Sequence, residues 1–290
     1  MLKQLVFLGC FLVSLPALAT EKITWLIWDL PPEFVRTGPL QNQGYADKFL
    51  QHFMEWLPDY DHHIQYVNVP RWSTEIFKPQ RCSAHLWGGF FPDKLLLSKG
   101  YTFTPPHVLI FPKRHQRRIG VPGTPQSIEE LLKQEDLKLA TMRLIFNNDA
   151  GQSRYPVLYP YLKPYLNKEN LVQQSGGRNH IDLRLLLHGR VDYTIGYPTT
   201  ITNQRRSDGL GDDYISYPII EHDIYKKVYV ACENDAFGQK IIERINQHFT
   251  EEALIQFLKY HEEWNGGNIP FRTTYMDYFI HKKDVPNVID

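Results

Sequence analysis

Apolar positions along this chain follow two rhythms, one of strands and one of helices. "ITWLIW" at 23–28 is an unbroken run of β-branched and aromatic residues, which predicts a strand. After a polar loop, Ala46, Phe49, Leu50, Phe53, Met54 and Leu57 recur at spacings of three and four, predicting one face of a helix that Pro58 ends. "HIQYVNV" at 63–69 and "AHLWGGF" at 84–90 read as further strands. Ser127 and Glu130 carry a capping-box signature ahead of Leu131 and Leu132, and "LKLATM" at 137–142 reads as the strand after that helix. Residues 179–187 predict a short helix closed by Gly189, with "VDYTIGY" at 191–197 as the next strand. "YKKVYVAC" at 225–232 alternates as a strand. Phe237, Ile241, Ile242, Ile245 and Phe249 then line one helix, and Thr250 caps another bearing Ala253, Leu254, Phe257 and Leu258. Strands and helices in alternation predict an α/β protein with largely parallel sheets. The tail beyond Trp264 has aromatics without a period and is expected to wrap a surface and end loosely.

The start of the chain changes the expected compartment. Lys3, the apolar stretch Leu5 to Leu15 and "ALA" at 17–19 predict a signal peptide cleaved after Ala19, and hence an exported, periplasmic chain. Removing 19 of the 290 residues leaves 271, enough for two lobes. With 32 basic and 32 acidic residues, no net field draws the chain to nucleic acid or an anionic membrane. A small-molecule solute is the expected partner, and a monomer the expected state. Cys82 and Cys232 remain after export, and two readings stand for them: a bridge in an oxidising compartment, or two buried thiols.

Signatures of enzyme chemistry are missing. "GQSRY" at 151–155 lacks the final glycine of a nucleophile elbow, and no phosphate loop or dinucleotide fingerprint occurs. His62 and His63 have no helical i, i+4 partner and read as surface residues. Neither a metal nor a cofactor is expected. "SGGRN" at 175–179 reads either as an anion-binding loop of exposed backbone N–H groups or as a plain loop before a helix.

Taken in order, several stretches resemble family 3 of the bacterial extracellular solute-binding proteins, the amino-acid-type periplasmic receptors. "DLPPEF" is similar to that family's aromatic and Pro-Pro-Phe after the first strand. "GPLQNQGYADKFLQHFMEWL" is similar to its turn, glycine and helix, and "WGGFFPDKLLLSKGYTFTPPH" to its Thr-Pro-Glu-Arg turn and crossover. "SIEELLKQEDLKLATM" resembles the opening of the second lobe, "LLLHGRVDYTIGY" the Leu-x-x-Gly-Arg-x-Asp strand, and "LIQFLKYHEEW" the closing helix. The resemblance implies a two-lobed Venus flytrap of type II, with two crossover hinge strands and a ligand cleft between the lobes. The first lobe would comprise 20–107 and 219–265, the second 108–218, with a C-terminal extension at 266–290.

The same resemblance assigns a site. Pro31-Pro32 would stop the first strand at its carboxyl end and leave Trp28 and Phe34 at the cleft mouth, unless both are core aromatics. Trp87 and Gly88 would face the cleft, with Gly88-Gly89 letting the backbone approach a ligand, and Trp72 sits near another strand end. Lys94 and Tyr197 stand where the family has its carboxylate-binding arginine and ammonium-binding aspartate. Lysine lacks the planar fork and tyrosine is neutral, so an ordinary α-amino acid fits less well. Arg143 is the second cationic candidate, with Arg71 and Arg178 behind it as either ligand groups or surface ion pairs. Asp192 is expected to be structural. The implied function is capture of a small polar solute for an ABC-type permease or a membrane sensor. The alternative is an exported dehydratase- or lyase-like enzyme on this scaffold, for which Glu33 is the one well-placed acid.

Overall fold

A computed structural model describes residues 20–145, 154–174, 180–266 and 268–290. The expected signal peptide, the "SGGRN" stretch with Arg178, and residues 151–153 lie outside them.

The described chain forms two sheets. In the first, strands β1 (Lys22–Ile27), β2 (Asp61–Tyr66), β3 (Arg81–Trp87), β4 (Leu95–Leu97) and β5 (Thr102–Thr104) are joined later by β11 (Tyr225–Glu233) and β12 (Val288–Ile289). Its order is β12-β11-β3-β1-β2, with β4 and β5 also pairing with β11. The second sheet comprises β6 (Val108–Pro112), β7 (Leu139–Met142), β8 (Leu171–Gln174), β9 (Tyr193–Gly196) and β10 (Tyr214–Pro218), in the order β10-β6-β9-β7-β8. The chain crosses from first to second sheet between Thr104 and Val108, and back between Pro218 and Tyr225.

Both sheets are mixed, a correction to the expected parallel pattern. β1 runs parallel to β2 and β3, and β7 parallel to β8 and β9, but β11 lies antiparallel to β3, and β6 antiparallel to β9 and β10. The antiparallel strands flank the crossings, where the chain enters a sheet from its partner and not through a helical crossover.

Each sheet has a core on both faces, which is why β1 and β6 read as continuous apolar runs. Ile23, Trp25 and Ile27 face one core under the helices Tyr45–Glu55, Ala236–His248 and Glu251–Asn265, whereas Leu26 and Trp28 face a second core with Trp72 and Leu86. In β6, Leu109 and Phe111 point to one side and Val108 and Ile110 to the other. The predicted Thr250 cap is present, its hydroxyl accepting from Ala253 N at 3.3 Å.

The C-terminal residues do not end loosely. Phe271, Tyr275 and Phe279 are buried in the first-sheet core, and β12 pairs in parallel with the start of β11. Asp290 binds the Lys227 ammonium at 2.6 Å and the Tyr229 hydroxyl. The helix Ile269–Tyr275 and the π-turn Met276–Ile280 shift the spacing of these aromatics, so no single period marks them.

Candidate functional site

The turn after β1 is built to present one side chain. Leu30 and Phe34 bridge across the cis Pro31-Pro32 pair. The carbonyls of Pro32 and Glu33 then accept from Tyr45 N at 3.1 Å and Ala46 N at 3.0 Å, in the first turn of the helix Tyr45–Glu55. Gly44 makes this approach feasible: a Cβ there would lie 2.1 Å from Glu33 O. Asp47 completes the lock by accepting from Gly44 N and Val35 N at 2.9 and 3.0 Å.

Glu33, thus fixed, lines a cavity of about 340 Å³ between the two sheets. Trp87, Gly88 and Phe90 join it from the end of β3, and Thr104, Pro105 and His107 from the first crossing. The return crossing and β11 give His222, Ile224 and Lys226; the second lobe gives Arg154, Tyr155, His180 and Tyr197. The walls are mostly apolar, with a few convergent polar groups, as ligand clefts are. The two crossings touch: His107 N donates to His222 Nδ1 at 3.1 Å, and the His107 ring stacks on Tyr197 at 4.3 Å.

Burial sets the charge states of this cavity. The Glu33 carboxyl, 6% exposed, is pushed up to about 8 by desolvation, opposed only by the neighbouring Tyr45 hydroxyl. His85 lies behind it, with Nε2 3.9 Å from Glu33 Oε2, and burial pushes its imidazole down to about 3. The Tyr101 hydroxyl gives its one proton to Ala84 O at 2.7 Å, so His85 Nδ1, 3.0 Å from the Tyr101 hydroxyl oxygen, must be the donor there. His85 therefore turns a bare Nε2 lone pair towards Glu33. Desolvation holds His107 well below the usual histidine range, helped by His222, Lys226 and Arg154, and lowers His222 to about 4.

Of the expected site residues, Trp87, Gly88 and Tyr197 lie on the cavity wall. Trp28, Phe34, Lys94 and Arg143 do not. Trp28 forms a second layer, stacked on Trp87 at 5.5 Å and against Trp72 at 5.7 Å. Phe34 is 1% exposed in the core, edge-on to the His85 ring at 6.1 Å. Lys94 is exposed, its ammonium 5.6 Å from the Phe77 ring. Arg143 is exposed beyond β7, held by its backbone bond to Gln174 O. Arg71, itself exposed, pairs with the buried Glu75. His62 accepts from Trp25 Nε1 at 3.1 Å and is a packing residue rather than a free surface one. Asp192 holds Lys138 N at 2.9 Å and faces His115 at 3.2 Å, which is structural work.

The cations on the wall are instead Lys226, inside the alternating run "YKKVYVAC", and Arg154, in the stretch that failed as a nucleophile elbow. His107 and His222 were missed in the sequence, although both flank the expected boundaries at 107–108 and 218–219, where polar residues beside a hinge would border the cleft. Among the described residues no three His, Cys, Asp or Glu side chains gather as a metal site, and no helix is long and apolar enough to cross a membrane. Cys82 and Cys232, cross-strand partners on β3 and β11, are joined as a disulfide.

No family model matches the chain, and no curated protein does. Solved structures do resemble it. A probable amino-acid ABC transporter extracellular-binding protein, ytmK from Bacillus subtilis, superposes with a TM-score of 0.59 at 14% identity, over 85% of this chain and 99% of that one. A putative L-cystine ABC transporter protein from Listeria monocytogenes gives 0.53 at 19% identity, over 86% and 97%. A histidine kinase sensor domain with similarity to periplasmic binding proteins gives 0.53 at 14%, over 85% and 96%. At such identities the likeness is one of architecture, and it agrees with two sheets, two crossings and a cavity between them: the chain has the two-lobed periplasmic-binding fold.

Proposed function

We propose that the chain is an exported solute-binding protein that captures a small molecule between its lobes and hands it to an ABC-type permease or reports it to a membrane sensor. One observation carries the reading: a single cavity takes walls from both sheets and from both crossing segments, so a guest inside it touches every part that a hinge motion would move. Closure requires only that the guest bind the closed form better than the open one. The resembling structures include binding proteins of transporters and a kinase sensor domain, which favours these two destinations. The lobes are taken to be 20–107 with 219–265, and 108–218, the residues after 265 packing on the first of them. The exported location rests on the signal-like start.

The test is thermal-shift screening of the purified mature chain against a solute library, with small-angle scattering on the hits. A solute at a hundred times its Kd stabilises by about 2.7 kcal/mol, a Tm rise of several degrees, and closure lowers the radius of gyration. A second reading, an exported enzyme, draws on the buried carboxyl beside a neutral imidazole. Mass spectrometry of the recovered hit separates the two: a receptor returns it unchanged, an enzyme does not.

A further inference from the structure

Glu33 stands out as a polar group with unfinished business. Its Oε2 is buried without a hydrogen-bond partner, as is His85 Nε2 opposite it, and the pair are 3.9 Å apart, too far to satisfy each other. Glu33 is also the only acidic side chain on the cavity wall among the described residues, where Lys226 and Arg154 supply positive charge. The rest of the lining sets Trp87, Phe90 and aliphatic residues beside uncharged threonine and tyrosine hydroxyls and histidine rings.

We propose that the solute is a small organic anion, a carboxylate with an apolar body, and that Glu33 serves it as a hydrogen-bond donor while Lys226 and Arg154 supply the countercharge. This rests on the receptor reading and names its ligand class. The geometry favours a donor over a carboxylate at Glu33. The neighbour behind it presents a lone pair, which repels an anion and tolerates an acid, and the wall already carries two cations that would oppose a protonated amine. In this proposal the acid proton, which His85 is too distant to accept, goes to an oxygen of the guest. An acid-to-carboxylate hydrogen bond is of the strong, charge-assisted kind.

Proton linkage gives this a signature. Tyr45, Tyr101 and Tyr197 surround Glu33 and are all raised by burial, while His85 and His261 are held near 3, so none of them titrates between pH 6 and 9. Asp47, pushed up to about 6, lies off the cavity wall. His107 and His222 are lowered and stay neutral in that window. His180, Lys226 and Arg154 face the same space from the other walls. Carboxylate affinity therefore falls about tenfold per pH unit above about pH 8, as Glu33 loses its proton.

The experiment is calorimetric titration of the mature chain with matched sets of probes: benzoate, benzamide and benzylamine, and hexanoate, hexanamide and hexylamine, at pH 6, 7, 8 and 9. The expected result is that only the carboxylates bind and that their affinity falls above pH 8. Glu33→Gln retains an N–H donor and is expected to bind carboxylates with no fall between pH 8 and 9, and Glu33→Leu to lose at least tenfold at pH 7. Binding of amines but not carboxylates, or affinity that climbs through pH 8, overturns the anion proposal and leaves the receptor reading standing. Silence from every probe and from the wider library overturns both. The pH profile of the unaltered chain decides the matter even if a variant does not fold.

Discussion

Glu33, His85 and His261 share one buried neighbourhood, and their opposite titrations make it a gauge of pH. The folded chain keeps a proton on Glu33 from its ordinary 4.5 up to about 8, whereas the unfolded carboxyl has lost it. Stability therefore falls as pH rises through that interval. The imidazoles act in the other direction. Burial takes His85 and His261 from 6.5 down to about 3, so their neutral forms support the fold fully above 6.5 and that support is lost as pH falls towards 3. The two limbs predict a Tm maximum between about pH 6 and 7 in calorimetric scans. Glu33→Gln should flatten the alkaline limb and gain at least about 1 kcal/mol at pH 9, a rise of about 2–4 °C. An alkaline limb equally steep in the variant would mean that Glu33 ionises without cost.

At the scale of elements, the presentation of Glu33 depends on the contact between the turn 30–34 and the start of the helix Tyr45–Glu55. Gly44→Ala places a methyl group where the Glu33 carbonyl already lies, at 2.1 Å. The turn or the helix must move. The variant is expected to lose about 1–3 kcal/mol in urea unfolding and to bind solute more weakly, because the displaced element carries Glu33. Unchanged unfolding and unchanged affinity together would show that the turn yields freely. The elements themselves were largely legible, since "ITWLIW" or the face from Ala46 to Leu57 announces its class by pattern alone. The three-residue strands β4 and β5 were not, being too brief to show a period. The candidate site was half legible. Trp87, Gly88 and Tyr197 sit at strand ends that the pattern marked, but Lys94 and Lys226 look alike in sequence, and only the register of β11 against β5 brings one of them to the cavity. Glu33 was noticed for its place and not for its burial beside His85 and Tyr101, residues remote from it in the chain.

The whole molecule is held by a long-range clasp. The chain leaves the first sheet after β5, builds the entire second sheet, and returns as β11 into the middle of the first, where it pairs with β3. The first sheet is thus assembled from pieces that the second sheet separates in sequence, and the Cys82–Cys232 disulfide joins them across 150 residues. Closing so long a loop limits the unfolded chain by about 5 kcal/mol in the loop-entropy account, with 2–4 typical of measured cases. Both cysteines are fully buried in the first-sheet core, and neither lines the cavity. The bond should therefore act on assembly and not on recognition. Replacing both cysteines with alanine is expected to lower urea stability by about 2–4 kcal/mol while leaving solute affinity within twofold at 15 °C. Equal stability would place the burden on the β3–β11 hydrogen bonds alone. Lost affinity in a folded variant would show that the clasp also sets the relation of Trp87, at the end of β3, to Lys226 on β11, and so that the grip of the cleft is transmitted through this sheet.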